Sequence, residues 1–426
     1  MRQHAFLPVS PMRRSIILCL LLLLLQLFFC FKGVVWFGKY INPFLLFAAF
    51  SGQFVLYQKT ICDLPPPPPA LPKINVYRIS IAICGIAAVV FCFPAFSHIF
   101  HTVPDPGGGS DVIPQLETQY HRFVHGEMPY RQLILHQSKP FPVYMPLHWL
   151  PVGITDYAGM DTRWSGLLLL VPGAGLCIYT IVQKKLRLIP AITCIALVPV
   201  VLLAALYGGD LDLPLSLETI VAAYYLIVCA GLLQKNLLLT TVGIALCLLS
   251  RYTLIFWLPV FFYLLFTHTG AIRTTIVMLA LITAFCVIYV FPFLLKDSSI
   301  FIEGLRYHNG AAEFEWKYGQ LTFDKGIYFA PHIDAIISGS YPHKVFIARI
   351  CQATAMLSLC VGGILHYRRV KSRVNYYDYA LGMLYMFLAA FYMIGPLTYG
   401  YYMLTPLLIS AVMCMKIVTA HTTQTS

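Results

Sequence analysis

The feature that most constrains the fold of this 426-residue chain is a succession of apolar runs, each about 17 to 23 residues long. A helix of that length rises about 1.5 Å per residue and therefore crosses a hydrocarbon core about 30 Å thick. Hydrophobic residues make up 59% of the chain and charged residues 11%, unlike the composition of a soluble domain. The sequence therefore predicts an all-α polytopic integral membrane protein.

The apolar runs predict about twelve transmembrane helices. They lie at about residues 14–36, 41–58, 76–97, 164–182, 188–207, 216–233, 236–250, 252–267, 274–294, 344–366, 376–395 and 399–419. Residues 236–268 fit either one steeply tilted helix or a tight pair. The pair is preferred, because it keeps the basic cluster at 368–373 on the same side as Arg13 and Arg14, as the positive-inside rule requires. Both termini are then cytoplasmic.

The acidic residues are concentrated in three stretches of the chain. Fifteen of the seventeen lie in Asp105 to Asp161, Asp210 to Glu218 or Asp297 to Asp334. With the preferred topology all three stretches face outward, and two of them occupy long loops at about 98–163 and 295–343. Loops of such length are usually functional or structured. This segregation of polar groups onto one membrane face indicates an enzyme that works there.

These loops divide the chain into four parts. Residues 1–75 form a transmembrane pair followed by a Pro-rich cytoplasmic linker, with five consecutive prolines at 65–69 that suit a stiff spacer. Residues 76–294 form a transmembrane core that carries the first outer loop. Residues 295–343 are the second long loop, and 344–426 are C-terminal transmembrane helices.

Charge and cysteine usage exclude several classes of protein. The net charge of +12 comes largely from Lys and Arg in short links between apolar runs, where they indicate topology and contact with anionic membrane lipids rather than nucleic-acid binding. Neither long loop contains a cysteine, which argues against a disulfide framework or a Cys-based metal site. The outer histidines match no zinc signature, and no nucleotide-binding glycine motif is present.

The first outer loop carries the residues best suited to catalysis. Its glycines at 107–109 predict a turn, after which Ser110 or Asp111 caps a helix that begins near Pro114. Three side chains of that helix, spaced i, i+3 and i+4, share a face: Glu117, Tyr120 and His121. The helix places Asp111 near the membrane surface. Asp111 as a plain helix cap, and the other residues as a solvated helix face, remain alternatives.

Further along the loop, Gly126-Glu127-Met128-Pro129-Tyr130 is followed by Tyr144-Met145-Pro146 and by Arg163 at the start of the next apolar run. This order, an Asp after a span, an aromatic helix, G-x-x-x-Y, Y-x-P and then an Arg, resembles the GT-C superfamily of membrane glycosyltransferases over residues 76–260. It is most similar to the polyprenyl-phosphate-mannose-dependent mannosyltransferases. Two features depart from that pattern: an extra pair of spans comes first, and the usual single Asp is joined by Glu117 and Asp105.

The resemblance implies transfer of a hexose, with mannose as one candidate, from a polyprenyl-phosphate donor to a lipid or glycan acceptor. It also implies a bacterial cytoplasmic (inner) membrane and leaves a divalent cation open. A carboxylate near a low-dielectric boundary suits a general base, for which Asp111 is the first candidate and Glu117 the second. Guanidinium groups suit a leaving phosphate, for which Arg163 and Arg251 are candidates.

Arg251 interrupts an apolar run, where a charge costs roughly 2.5–3.5 kcal/mol to insert. A turn that lets Arg251 reach water, and an Asp161–Arg163 pair that anchors the span, are the alternative explanations. The predicted substrate-binding residues are Tyr120, His121, Tyr130, Tyr144, His148, Glu313, Trp316 and Tyr401. An interfacial aromatic belt and a peripheral amphipathic helix explain many of these as well.

Three other functions compete with glycosyl transfer. A transporter or flippase of lipid-linked glycan requires charged groups deep in broken helices. A glycan polymerase or ligase would also carry large outer loops but would join preassembled chains. A scaffold without catalysis would lack a lipid-sized groove leading to the first outer loop.

Overall fold

A computed structural model describes residues 11–62, 76–103, 111–134, 140–182, 186–208, 213–318, 327–397 and 399–422. Within those ranges every regular element is helical. Nine helices there are long and apolar enough to cross a membrane, and two further apolar helices are shorter. The prediction of an all-α, multi-pass membrane protein is therefore confirmed. The proline run at 65–69 and the glycines at 107–109 lie outside the described residues.

Long apolar helices alternate along the chain with the helices of the two long loops. In chain order they are α1 (Pro11–Phe31), α2 (Gly33–Cys62), α3 (Val76–Val90), α4 (Phe93–Thr102), α5 (Val112–Val124), α6 (Pro146–Trp149), α7 (Val152–Tyr157), α8 (Trp164–Ile181), α9 (Leu188–Gly208), α10 (Glu218–Gln234), α11 (Leu237–Leu248), α12 (Leu258–Phe285), α13 (Ser299–Tyr318), α14 (Ala330–Ile336), α15 (Tyr341–Val370), α16 (Tyr376–Ile394) and α17 (Leu404–Thr422). A π-helical segment, Cys286–Leu294, continues α12.

The centre of the bundle is formed by α10, α16 and α17, which are buried along nearly their whole length. Small residues allow these helices to approach their neighbours closely. A Cβ added to Gly166 of α8 would lie 1.9 Å from the Thr219 hydroxyl, and one added to Gly243 of α11 would lie 2.7 Å from the Val228 backbone. Close approach of this kind drives helix association in membranes. Lipid tails are as apolar as the side chains, so the hydrophobic effect does not bring the helices together there.

The predicted spans at 236–250, 252–267 and 274–294 take a different form in the structure. Helix α11 has only 12 residues, and a 3-10 turn at Tyr252–Phe256 separates it from α12. Helix α12 contains a non-helical Gly270 with φ 80° and ψ 177°, a conformation that glycine adopts without a steric cost. The twelve predicted spans are thus realised as nine long apolar helices and two short ones within the described residues.

Contacts on either side of Gly270 show where the two parts of α12 lead. His268, just before it, stacks on Tyr376 with ring centroids 4.7 Å apart. Tyr289, beyond it, packs edge-on against Tyr130 of the first long loop, with centroids 5.7 Å apart. Gly270 therefore lies at the Tyr376 end of the bundle, and residues 271–294 run from there to the first long loop.

The bundle has two chemically distinct ends. We call the end that carries residues 111–134, 140–163, 299–318 and 327–336 the loop end and the opposite one the basic end. At the basic end, Lys416 Nζ lies 3.6 Å from Asp378 Oδ1, and Lys235 is close enough to interact electrostatically with both. The basic residues at 368–373 end α15 on the same side, because the neighbouring Tyr367 contacts His268. Glu218, Arg251 and Tyr402 meet at the loop end.

Candidate active site at the loop end

Asp111 occupies the N-cap position of α5, but its side chain makes no capping hydrogen bond. The prediction that Asp111 caps this helix is therefore wrong, and Ser110 lies outside the described residues. The Asp111 carboxylate instead accepts a hydrogen bond from Gln115 Nε2 at 2.8 Å and a second one from the Tyr307 hydroxyl. These partners belong to both long loops, since Gln115 lies on α5 and Tyr307 on α13.

The Tyr307 hydrogen bond joins the two long loops, because Tyr307 belongs to α13. Asp111 stays open to solvent, yet the protein around it desolvates the carboxylate and raises its pKa. Hydrogen bonds from the Asp111 backbone, Gln115 and Tyr307 partly offset that rise. Burial and the nearby Asp111 charge raise the pKa of Tyr307 to about 12, so this phenol stays protonated and remains a donor.

Arg251 is held by an ion pair inside the bundle. Its Nη1 atom lies 2.6 Å from Glu218 Oε2, and Glu218 is completely buried at the start of α10. The other Glu218 oxygen accepts a hydrogen bond from the Thr405 hydroxyl at 3.4 Å. The Arg251 guanidinium also lies over the Tyr402 ring, 4.6 Å from its centroid, a favourable cation-π arrangement.

Tyrosines connect Asp111 to Arg251. Tyr144 of the first loop interacts electrostatically with Asp111, Arg251 and Tyr307, and it faces Tyr402 as well. Tyr401 packs on Tyr402 with ring centroids 4.8 Å apart, and Tyr399 stacks on Tyr401 at 5.2 Å. We call this group the outer polar cluster, because the sequence predicts that its end of the bundle faces outward: Asp111, Tyr144, Arg251, Tyr307, Tyr401 and Tyr402.

Two histidines border the cluster as neutral imidazoles. His148 packs against Tyr144, with ring centroids 5.0 Å apart, and burial together with the Arg251 charge lowers its pKa to about 3. His308 follows Tyr307 on α13. Burial and the charges of Arg349 and Arg251 lower the pKa of His308 to about 4. Neither ring adds positive charge to the cluster at neutral pH, so the arginines supply it.

Glu313 and Arg349 lie beside the cluster on α13 and α15. The two side chains are close enough to interact electrostatically, and Arg349 also interacts with Tyr252. Sequence reasoning named Glu313 but not Arg349, because a basic residue near the start of a span is typical of an interfacial anchor. Glu218 was also missed as a site residue, since no local motif links it to Arg251 33 residues later.

Arg163 lies apart from the outer polar cluster and has its hydrogen-bond donors occupied. Its Nε atom donates to Asp161 Oδ1 at 2.9 Å, and its two Nη atoms donate to the carbonyls of Phe100 and Val103. Burial opposes ionisation of Asp161, but its hydrogen bonds to Arg163 prevail and lower the pKa of this carboxyl. Arg163 thereby ties the end of α4 to the start of α8. Its donor-phosphate role remains a prediction that these contacts do not favour.

Glu117, Tyr120 and His121 share the face of α5 that the i, i+3, i+4 spacing predicts, and that face meets residues 153–162. The Thr162 hydroxyl donates a very short hydrogen bond to Glu117. Gly153 lies against the Tyr120 ring, and His121 Nε2 is 3.7 Å from Asp156 Oδ1. Asp111 and Gln115 lie on another face of the helix, so Glu117 is not brought to the outer polar cluster.

Two of the predicted substrate-binding aromatics make structural contacts. The buried Tyr130 hydroxyl donates to the Tyr144 carbonyl at 3.1 Å and so fixes the loop that carries Tyr144. The buried Trp316 donates its indole N–H to the Pro396 carbonyl at 2.6 Å, which fastens α13 to the turn before Tyr399. Both therefore support cluster residues, and their substrate contacts remain predictions.

The described residues do not provide a set of metal ligands. Among them, no three His, Cys, Asp or Glu side chains come together as a group that could hold a metal ion. His332 Nε2 contacts the Tyr40 carbonyl at 2.8 Å, and Asp334 pairs with Lys344 at 2.8 Å. Asp105 lies outside the described ranges.

The cluster combines groups with complementary roles: a carboxylate of raised pKa, a neutral phenol that donates to it, and a guanidinium fixed by a buried carboxylate. Such a set can accept a proton from a hydroxyl and stabilise developing negative charge nearby.

Comparison with known proteins adds no relative, since no family description, curated protein or solved structure matches this chain.

Proposed function

We propose that this chain is a membrane glycosyltransferase that moves a hexose from a polyprenyl phosphate to a hydroxyl of a lipid or glycan acceptor. The observation that carries this proposal is that Tyr144 interacts electrostatically with both Asp111 and Arg251, together with the Tyr307 hydrogen bond from the second loop. A base and an anion-stabilising group are the two functions that transfer from a sugar phosphate needs.

In the proposed reaction the acceptor oxygen attacks the anomeric carbon of the donor sugar. Asp111 takes the proton of the acceptor hydroxyl, and the bond between the anomeric carbon and the phosphate oxygen breaks. The lipid phosphate leaves with the electron pair, and Arg251 stabilises its negative charge. One direct displacement inverts the configuration at the anomeric carbon.

We further propose an orientation of the bundle in the membrane. The basic end, with its cluster at 368–373, faces the cytoplasm under the positive-inside rule, so that the loop end faces outward. The donor is then presented from the outer leaflet, and mannose is the first sugar to test. A bacterial cytoplasmic membrane is the proposed location. Tyr401 and His148 would border the sugar, and Glu313 of α13 would contact the acceptor.

A purified full-length preparation in detergent micelles tests this proposal directly. Polyprenyl-phosphate mannose labelled in the sugar is supplied with glycan and lipid acceptors, and labelled product is separated from donor by chromatography. A glycosyltransferase gives product with the lipid-phosphate donor and none with a nucleotide sugar. Asp111→Asn should abolish product, whereas Glu303→Gln, an exposed carboxyl paired with Arg306 on α13, should retain it.

The buried Glu218–Arg251 pair beside the short helix α11 also favours a second candidate, a transporter or flippase of lipid-linked glycan. The micelle assay separates the two functions, because micelles have no compartments. A transporter yields no covalent product there. Movement of labelled lipid-linked glycan across reconstituted vesicles, without transfer, would favour this second function.

A further inference from the structure

Arg349 presents an unused hydrogen-bonding edge inside the protein. Two of its guanidinium nitrogens, Nε and Nη2, are buried and have no hydrogen-bond partner among the residues that the structure describes. These two N–H groups form the fork that binds carboxylate or phosphate through parallel hydrogen bonds. A buried donor without a partner costs about 1–3 kcal/mol, and more when it is charged. Such an edge is expected to have a ligand in the working protein.

The surroundings of Arg349 favour an anion. His308 interacts electrostatically with both Arg349 and Arg251, and as a neutral ring it can donate a hydrogen bond without repelling them. Glu218 already pairs with Arg251, so Arg349 supplies the uncompensated positive charge of this region. Glu313 lies near Arg349 and offsets part of that charge, but it leaves Nε and Nη2 without a hydrogen bond.

Arg349 also interacts electrostatically with residues of two other segments of the chain. It extends from α15, whereas Tyr252 and His308, which it faces, belong to the turn after α11 and to α13. An anion bound at the Arg349 fork would therefore contact three separate segments.

We propose that the Nε–Nη2 edge of Arg349 binds a phosphoryl oxyanion, with His308 as a second donor. Tetrahedral phosphate oxygens match the spacing of a guanidinium fork. A lipid phosphate and free inorganic phosphate share this chemistry, and the lipid source rests on the proposed function, whereas the oxyanion site itself does not.

The test measures thermal unfolding of the full-length protein in detergent with each of three probes. They are inorganic phosphate, inorganic pyrophosphate and polyprenyl phosphate, each titrated to saturation against the wild-type chain, R349K and R349M. A ligand that binds only the folded state raises Tm with its concentration. We expect at least one probe to raise the Tm of the wild type. R349M should weaken its Kd at least about tenfold, as expected for loss of a charge-assisted hydrogen bond.

R349K distinguishes the fork from simple charge, because lysine keeps the positive charge but presents no pair of parallel donors. We expect R349K to lose most of the affinity. This variant also provides the test if R349M fails to fold. R306M is the matched control: Arg306 is an exposed arginine on α13, and its removal should leave Kd unchanged. The proposal is overturned if the wild type binds none of the probes, or if R349M and R349K bind them with the affinity of the wild type.

The outcomes separate this site from the proposed function. If polyprenyl phosphate binds in an Arg349-dependent way but no sugar is transferred, the oxyanion site stands and glycosyl transfer fails. If transfer depends on Asp111 while R349M and R349K keep the wild-type donor KM and Kd, glycosyl transfer stands and the oxyanion site fails. Preference for polyprenyl phosphate over both inorganic probes assigns the lipid source, and equal affinities assign the free anion.

Discussion

Glu218 Oε2 and Arg251 Nη1 lie 2.6 Å apart in the interior of the bundle, where Glu218 is wholly buried and Arg251 is 14% exposed. Each charge is tolerated in this position because the other neutralises it. Removal of one partner from a buried pair typically costs about 3–5 kcal/mol, because the remaining charge has no compensation.

E218Q and R251M should each lower Tm strongly, since each leaves one buried charge without a partner. The double variant E218Q/R251M removes both charges and should recover most of the loss. Thermal unfolding of the purified proteins in the same detergent measures all three. Equal Tm values for E218Q and the wild type would show that the pair does not bear on stability.

The Asp111–Tyr307 hydrogen bond makes a prediction about pH. Asp111 must be ionised to accept a proton, and desolvation raises its pKa, so activity should fall as the pH drops through that raised value. The Tyr307 bond stabilises the ionised form. Y307F should therefore raise the pKa of Asp111 further and move the acidic limb of the kcat/KM profile to higher pH. An unmoved or lowered limb would contradict Asp111 as the base.

Arg163 should act on stability rather than on the donor. R163M leaves Asp161 and the carbonyls of Phe100 and Val103 without their donors, which should cost about 3 kcal/mol of the free energy of unfolding. The donor KM of the folded fraction should stay unchanged, because Arg163 lies outside the outer polar cluster. A raised donor KM with normal Tm would instead restore the donor-phosphate role predicted from the sequence.

The first and last long helices should be adjacent. Cys19 of α1 and Cys414 of α17 have sulfur atoms 2.9 Å apart, and Gln53 Nε2 lies 2.9 Å from the Cys19 sulfur. In a variant that retains only these two cysteines, copper-phenanthroline and oxygen should oxidise both thiols to a disulfide. A protease site introduced into the chain between the two helices detects this disulfide, because the fragments cut at that site separate only after reduction. The matched pair of Cys84, exposed on α3, and Cys414 should not crosslink. Failure of the Cys19–Cys414 pair would refute this packing.

The sequence predicts the helical class well because hydropathy and length alone determine which segments can cross a membrane. The sequence predicts the helices less well where tertiary contacts, rather than the length of the apolar run, decide which segments form them. Helix α11, with 12 residues, is too short for an ordinary span, yet close packing against α10 at Gly243 holds it in the bundle. By contrast, the break at Gly270 falls between the predicted spans 252–267 and 274–294, and the positive φ of this glycine interrupts α12 there.

The candidate site was predicted in part. Arg251 could be found because a charge inside an apolar run is costly and therefore conspicuous. Its partner Glu218 and the neighbouring Arg349 could not, because their importance depends on contacts between distant helices. The sequence predicted a donor-phosphate role for Arg163 as it did for Arg251. In the structure, however, the Arg163 guanidinium donates its hydrogen bond to Asp161, two residues earlier.

The rate of sugar transfer by D111N, compared with E303Q at saturating polyprenyl-phosphate mannose and acceptor, tests the central claim most directly. Both substitutions replace a carboxylate with an amide of the same shape, and Glu303 lies on the surface of α13. A positioned general base contributes about 10²–10⁴-fold, so kcat of D111N should fall by at least about 100-fold while E303Q stays at the wild-type value. Wild-type kcat in D111N would contradict the assignment of Asp111 and, with it, the proposed active site.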